Sequence, residues 1–369
     1  MKLSTRRDAL FAQLQTVTRA ASTRSAVQAL SGVQIAAHEG GIELRATDME
    51  IGLRVPLEGE VVREGGVVLP ARLLVDVVRA LPGDSVSLEL RSSEQDVEIV
   101  AGSATFHIRT LRLEDFPPFP EPEAEGRVSV PGEAFVETVL KVARSASRDE
   151  TRPVLTGILV SAAGDELRMV ATDSYRLSVK ETKLDEALDG SFEANVPARA
   201  LQELSRIAQH GDSEQLTVSV RTNQVVFEVD GVVLSSRLID GQFPNYRQLL
   251  PDAYEHELQL AGSEISEVVR RISLLAQKNA PLRLAFSEGE LTVSARTPDV
   301  GEASESLPVP FQGEALEIGF NPEFLRDGLE SVESGDVLLK LISPLRPGLI
   351  QAADGSGFVY LLMPIRLNV

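Results

Sequence analysis

The sequence predicts an α+β fold of three repeated domains, each with two helices packed on antiparallel sheet. Three observations carry this. At 369 residues the chain exceeds the ~250 to 300 at which a single core stops growing, so two or three domains are required. Two segment types recur three times in the same order. The stretches between them alternate apolar and polar residues between Gly and Asp turns, as in Gln215-Leu-Thr-Val-Ser-Val-Arg221, the period-2 pattern of half-buried strands.

The first recurring segment reads strand, Gly-containing turn, strand, over residues 32–48, 157–173 and 282–298, with Thr47, Thr172 and Thr297 spaced at 125 residues. The second is a strand running into a helix: Val68-Leu-Pro-Ala-Arg-Leu-Leu74, Asn195-Val-Pro-Ala-Arg-Ala-Leu201 and Gly319-Phe-Asn-Pro-Glu-Phe-Leu325. Pro70, Pro197 and Pro322 each stand where a helix would begin, at the position whose missing N–H costs nothing. A period near 125 is too long for a solenoid and suits a whole domain. Each unit then carries two helix-period segments. They are Leu10, Leu14, Val17 and Ala21, then Leu73, Leu74, Val77, Val78 and Leu81; Phe135, Val136, Val139, Leu140 and Ala143, then Leu201, Leu204, Ile207 and Ala208; and Ile265, Val268, Val269, Ile272 and Leu275, then Phe324, Leu325 and Leu329. The Pro-rich acidic stretch at 116–126 and the more apolar one at 240–251 read as connections, giving domains 1–125, 126–251 and 252–369.

Composition narrows the chemistry. The chain has no Cys, which excludes disulfides, thiolate metal sites and cysteine nucleophiles, and its four histidines, His38, His107, His210 and His256, are scattered. No G-x-S-x-G, G-x-x-x-x-G-K, H-E-x-x-H or calcium-loop pattern occurs. The cluster Asp173-Ser174-Tyr175 has no His near it in sequence and reads as a turn. No catalytic residue, metal or cofactor is expected. Arg6-Arg7 is followed by a stretch that Gln13, Gln15, Thr16, Thr18 and Arg19 interrupt, so it is not an export signal, and no apolar run is membrane-length. A cytoplasmic location is expected.

Net charge is −19, which argues against simple adhesion to nucleic acid. The charge is nevertheless segregated. The six helical windows, residues 6–21, 71–81, 133–148, 197–210, 263–278 and 321–334, sum to +3, against −22 over the other 282 residues. Mildly cationic helices can attract a polyanion locally, because acids beyond the ~8 to 10 Å Debye length are screened. Solvated helix faces would produce the same pattern.

The order of these segments closely resembles the bacterial sliding clamp family, the beta subunit of the replicative DNA polymerase. The resemblance spans the chain and rests on Arg152-Pro-Val-Leu-Thr-Gly157, Ala171-Thr-Asp-Ser-Tyr-Arg-Leu177, Asp240-Gly-Gln-Phe-Pro-Asn-Tyr246, Ile318-Gly-Phe-Asn321 and Tyr360-Leu-Leu-Met-Pro-Ile-Arg-Leu367. It implies three DNA-clamp domains per subunit and a head-to-tail homodimeric ring around duplex DNA, with the helices inside and no base readout. The implied partners are duplex DNA, a second copy of the chain, the replicative DNA polymerase, the clamp loader and other proteins bearing clamp-binding peptides.

The resemblance also implies sites. Arg24 and Arg148 fall near DNA, with Arg72, Arg79, Lys141, Arg144, Arg199 and Arg206 as inner-face cations. A linear peptide would insert apolar anchors between the second and third domains, at Leu155, Thr172, Tyr175, Arg176, Leu177, Pro244, Gln248, Leu249, Asn321, Phe324, Leu345, Leu361, Leu362, Met363, Pro364, Ile365 and Arg366. Apolar walls there would hold a peptide Leu or Phe, while Arg and Asn orient it. Several of these residues, Leu155 and Leu177 above all, equally suit a domain core. Subunit closure would set Phe106 and Ile108 against Ser273, Leu274, Asp299, Glu302 and Glu305.

The chain departs from the family pattern in three places. Ser103, Ala104 and Thr105 stand where basic residues are common, which leaves the ionic part of closure open. Ser25-Ala-Val-Gln-Ala-Leu30 replaces a Pro-rich segment, and Asn368-Val369 extends past the usual end. A peptide-binding scaffold that does not encircle DNA would share the pocket without the ring; an enzyme would need a cluster the sequence lacks.

Overall fold

A computed structural model describes every residue except 121–125, 210–213, 277–279, 299, 333–334 and 368–369. The first repeat begins with β1 (Lys2–Arg6), α1 (Arg7–Val17), β2 (Gly32–His38), β3 (Gly41–Thr47) and β4 (Ile51–Leu57). It continues through β5 (Gly59–Arg63), β6 (Gly65–Pro70), α2 (Ala71–Ala80), β7 (Ser85–Arg91), β8 (Asp96–Ala101) and β9 (Ala104–Arg109). The second holds β10 (Arg127–Pro131), α3 (Gly132–Val142), β11 (Gly157–Ala163), β12 (Glu166–Thr172) and β13 (Arg176–Lys183). Then come β14 (Phe192–Pro197), α4 (Ala198–Ala208), β15 (Gln215–Val220), β16 (Gln224–Val229) and β17 (Val232–Arg237). The third holds β18 (His256–Ala261), α5 (Gly262–Ile272), β19 (Leu282–Ser287), β20 (Glu290–Thr297) and β21 (Gly301–Pro308). It closes with β22 (Leu316–Phe320), α6 (Pro322–Glu330), β23 (Asp336–Leu341), β24 (Gly348–Ala352) and β25 (Phe358–Leu362). The three-domain α+β architecture is therefore present, with two helices per repeat as the periodicity predicts.

The prolines sit one place earlier than predicted in two repeats. Pro70 and Pro197 end β6 and β14, and only Pro322 is the first residue of its helix. In the third repeat Asn321 is the N-cap, and its side-chain oxygen accepts from the Phe324 N–H at 3.1 Å. Strand pairing also displaces the third threonine. Gln34 faces Arg45 and Leu159 faces Val170, but Arg283 faces Ser294, so the third hairpin is shifted by 124 rather than 125 residues from the second. Arg296, not Thr297, is thus the counterpart of Thr47 and Thr172. The hydroxyls agree, since Thr47 and Thr172 donate to carbonyls four residues on, whereas Thr297 donates to the Leu275 carbonyl.

Packing divides the chain into two compact units that cut through the second repeat: Met1–Gly132 with Glu203–Leu238, and Glu133–Gln202 with Ile239–Val369. The cause is strand pairing. In the first unit β17 adds to β4, which joins two half-sheets into one of eight strands, β10-β15-β16-β17-β4-β3-β2-β6. A five-stranded sheet, β5-β1-β7-β8-β9, lies in the same unit. In the second unit β25 adds to β13, giving β14-β11-β12-β13-β25-β24-β23-β18 beside a four-stranded sheet, β21-β20-β19-β22. Helix α1 packs on α2 and on β4 in the first unit, and α5 on α6, β20 and β21 in the second. Leu10, Leu14 and Val17 of α1 are fully buried, as are Leu282, Val293 and Ile318 beneath α5 and α6. These side chains supply the hydrophobic term that holds helix to sheet.

Candidate functional site

The motif Thr172-Asp-Ser-Tyr-Arg176 folds as a tight turn between β12 and β13. Asp173 Oδ1 accepts from the Tyr175 and Arg176 N–H groups at 2.9 and 3.0 Å, which makes an Asx turn. The Thr172 hydroxyl donates to the Arg176 carbonyl at 2.7 Å and accepts from the Ser174 N–H at 3.2 Å. Ser174 is held at φ +78, a conformation that costs a non-Gly residue energy. The turn leaves Tyr175 61% exposed, and the Tyr175 carbonyl accepts from the Met363 N–H at 2.9 Å. The C-terminal segment is thereby fixed beside the turn, and the Ile365 N–H donates to the Gly319 carbonyl at 2.7 Å.

Arg176 is the centre of a buried network, only 8% exposed. Its Nε donates to Asp173 Oδ2 (3.1 Å), Nη1 to Asp327 Oδ2 (2.6 Å) and Nη2 to the Arg144 carbonyl (2.5 Å). The guanidinium lies 4.2 Å from the Phe324 ring centroid, a cation–π distance. The Tyr360 hydroxyl donates to the Phe324 carbonyl at 2.8 Å. Burial disfavours the Arg176 charge, yet Tyr360, Asp327 and Asp173 outweigh it and raise the guanidinium above its ordinary range. Burial likewise pushes the Tyr360 phenol up. Arg176 thus fixes the Phe324 ring, and its donors are engaged within the chain itself.

The remaining peptide-site candidates divide by burial. Leu155, Leu177, Leu361 and Leu362 are core residues, and Leu177 and Leu361 face each other across β13 and β25 in a cluster with Val170, Tyr246 and Leu349. Tyr175, Leu249, Leu345 and Met363 are 61, 51, 60 and 43% exposed, a set of large apolar groups that burial against a ligand would stabilise. Pro244, Gln248 and Arg366 are exposed, and Asn321, Pro364 and Ile365 partly so. A cleft of about 370 Å3, lined by Leu159, Ser161, Arg168, Val170, Glu193 and the segment 242–247, shares only Pro244 with this set.

Of the DNA candidates, Arg24, Arg72, Arg79, Arg144, Arg148, Arg199 and Arg206 are exposed. Arg79 lies 3.6 Å from Asp76 and 5.6 Å from the Phe11 ring centroid, Arg206 is bonded to Glu203, and Arg144 reaches Glu330 at 2.6 Å. Lys141 differs from expectation: it is 8% exposed, and its ammonium donates to the Ser331 carbonyl at 2.7 Å, so it is a buried tie rather than a surface cation. Asp327 is the partner of Arg176 that sequence reading missed. An acid recurs at its position in each repeat, Asp76, Glu203 and Asp327, which is the signal that could have found it.

Of the closure candidates, Phe106 and Ile108 lie on β9, Glu302 and Glu305 on β21, and Ser273 and Leu274 in the turn that follows α5. β9 ends the five-stranded sheet and β21 ends the four-stranded one. Phe106 is 37% exposed and Ile108 is buried; Leu274 is 84% exposed and Val300, absent from the sequence-based set, 51%. The Ser273 hydroxyl donates to the Val269 carbonyl. Glu305 takes two hydrogen bonds from Arg271, at 2.6 and 3.0 Å, which hold its carboxyl below the usual range. Asp299 and the Asn368-Val369 tail lie outside the described residues.

Three family models match the chain in succession: the N-terminal domain of the DNA polymerase III beta subunit over residues 1–120, its central domain over 129–245 and its C-terminal domain over 247–366. The beta sliding clamp of Streptomyces coelicolor is 34% identical over 379 aligned positions spanning 100% of both chains, and that of Synechococcus elongatus 32% over 375, again spanning 100% of both. Among solved structures, a putative DNA polymerase III beta subunit from Eubacterium rectale superposes with a TM-score of 0.93 at 26% identity, and the sliding clamp from Bacillus subtilis with 0.91 at 28%; both comparisons cover 100% of each chain.

Proposed function

Because the chain belongs to the DNA polymerase III beta subunit (beta sliding clamp) family, we propose that two copies close head to tail into a ring around duplex DNA and tether the replicative polymerase to it. The single observation that carries the ring is a pair of unused edges. In each repeat the last strand, β9, β17 or β25, and the strand after the first hairpin, β4, β13 or β21, hold equivalent positions. β17 takes β4 and β25 takes β13 within the chain, while among the described residues β9 and β21 have no strand neighbour on one side. A third junction of the same kind needs a second copy, and because the edges differ the contact is heterologous; two such contacts would close the two-copy ring that family membership suggests. The three domains then follow the repeat, at about 1–125, 126–251 and 252–369, even though packing divides each chain in two.

The clamp has no catalytic step and works in the cytoplasm. Exposed Arg24, Arg72, Arg79, Arg144, Arg148, Arg199 and Arg206 meet phosphates without reading bases, and Lys141 is not among them. Several of these already pair with acids, which suits sliding, since each phosphate firmly neutralised adds to a salt-dependent grip. The clamp loader, polymerases and repair proteins dock through short peptides at Tyr175, Leu249, Leu345 and Met363, over the Phe324 wall that Arg176 supports. Two or three buried anchors, less ordering costs, give roughly micromolar binding, which permits exchange of partners. The test is topological: with a bacterial clamp loader and ATP, the protein should co-elute with nicked circular DNA and be released by one linearising cut. Protein that remains free before and after the cut contradicts the clamp.

A further inference from the structure

The two junctions inside the chain share one register. Leu234 faces Leu53 and Tyr360 faces Ser178; one step on, Ser235 faces Gly52 and Leu361 faces Leu177. Hairpin pairing identifies the counterparts in the unused edges. Phe106 stands opposite Ile99 as Leu234 stands opposite Phe227, and Ala303 stands opposite Ala295 as Leu53 stands opposite Ala46. The same register between two copies therefore puts Phe106 against Ala303 and His107 against Glu302. The faces agree: Ala303 packs towards the core of its unit, while His107 and Glu302 are exposed on the other face.

The position is filled differently at each junction. Leu177 and Leu361 belong to a buried apolar cluster, and a Cβ added at Gly52 would meet Ser235 Oγ at 2.7 Å and the Phe119 ring at 3.0 Å. The third combination is a histidine facing an acid. His107 Nδ1 is 3.9 Å from Asp96 Oδ2 and Nε2 is 3.9 Å from Glu98 Oε1. Arg91 donates twice to Asp96 at 2.8 Å and holds that carboxyl below the usual range, so an anion stands beside the imidazole. Arg109, next on the same face of β9, donates to the Glu94 carbonyl at 2.6 Å. Glu302 makes no ion pair among the described residues, although Arg296 stands opposite it on β20. Glu305 is already answered by Arg271 of its own chain.

We propose that β21 of a second copy docks on β9 in this register and that His107, between Asp96, Glu98 and Glu302 of that copy, makes subunit closure proton-dependent. The proposal rests on the ring reading and specifies its contact. A neutral imidazole leaves three carboxylates converging, whereas the imidazolium sits among all three, so closure tightens as the pH falls. Two such contacts per ring should strengthen the dimer roughly tenfold between about pH 8 and about pH 6.

Sedimentation of the full chain across that range, beside His107→Gln and Glu302→Gln, tests this. Both side chains are exposed, so neither substitution threatens the fold. The wild type should tighten and both variants should lose most of the slope. A dimer whose strength ignores pH, or a slope that survives both substitutions, overturns the proposal. A chain that stays monomeric at every pH overturns the ring reading and the proposal with it. Because the chain has no cysteine, His107→Cys combined with Glu302→Cys gives an independent check on register. Oxidation should yield covalent dimers, and His107→Cys with Ala303→Cys, one step out of register, should not; the reverse order overturns the assigned pairing.

Discussion

Arg176 shows how far local sequence reaches and where it stops. Its neighbours Thr172 and Asp173 were legible, because an Asx turn is made by atoms within four residues. Its partner Asp327 was not, because 151 residues separate the two and nothing local marks the pair. Lys141 was misread for the same reason, its acceptor lying 190 residues away. Asp327→Asn should leave the buried guanidinium undercompensated and cost about 2 to 4 kcal/mol in urea unfolding. A loss below about 0.5 kcal/mol, the scale of an ordinary surface change, would contradict the network. At the exposed wall, Met363→Ala with Pro364→Ala should weaken binding of a Leu- and Phe-bearing peptide by at least about tenfold in fluorescence anisotropy, with the oligomeric state unchanged. Unchanged affinity would remove these residues from the site. Acid should also destabilise the fold. Asp96, Asp149 and Glu305 have carboxyls held below their unfolded values of 3.8, 3.8 and 4.5, so their contribution is complete above those values and is lost as pH falls through the folded ones. Thermal midpoints should drop from about pH 5 towards about pH 3.

At the level of elements, periodicity found the six α-helices of the described residues, because a 3.6-residue stripe is written into each segment. Alternation found strands without saying which would pair. The union of β17 with β4 is set by register between residues far apart in sequence, so the eight-stranded sheets, and the division through the second repeat, were not visible beforehand. The 125-residue threonine spacing failed in the third copy because that hairpin lies one residue nearer and the following turn one residue longer. Helix–strand packing offers its own test. Gly328 in α6 lies under Tyr360 of β25, where a Cβ would come within 2.6 Å of the ring. Gly328→Ala should therefore destabilise by about 1 to 3 kcal/mol despite alanine's better helix propensity. A raised melting temperature would show that the ring can move aside.

For the whole molecule, the charge of −19 and the function are compatible only because the charges are separated. In the proposed ring no adhesion would be needed: topology would hold the DNA, and exposed arginines would soften the acidic field near it. Arg148→Glu should thus leave retention on closed circles intact while weakening binding to short linear duplex and lowering its salt slope by about 1. The resemblance implies a ring, but the feature that supports closure in the proposal, two edges whose equivalents are paired elsewhere in the chain, is a property of the fold and not of any local sequence. Single-particle imaging of the free protein tests that most directly. Two chains of 39.9 kDa should enclose a continuous six-lobed ring with β9 of one against β21 of the other at both seams. An open crescent, or isolated chains at micromolar concentration, would contradict it.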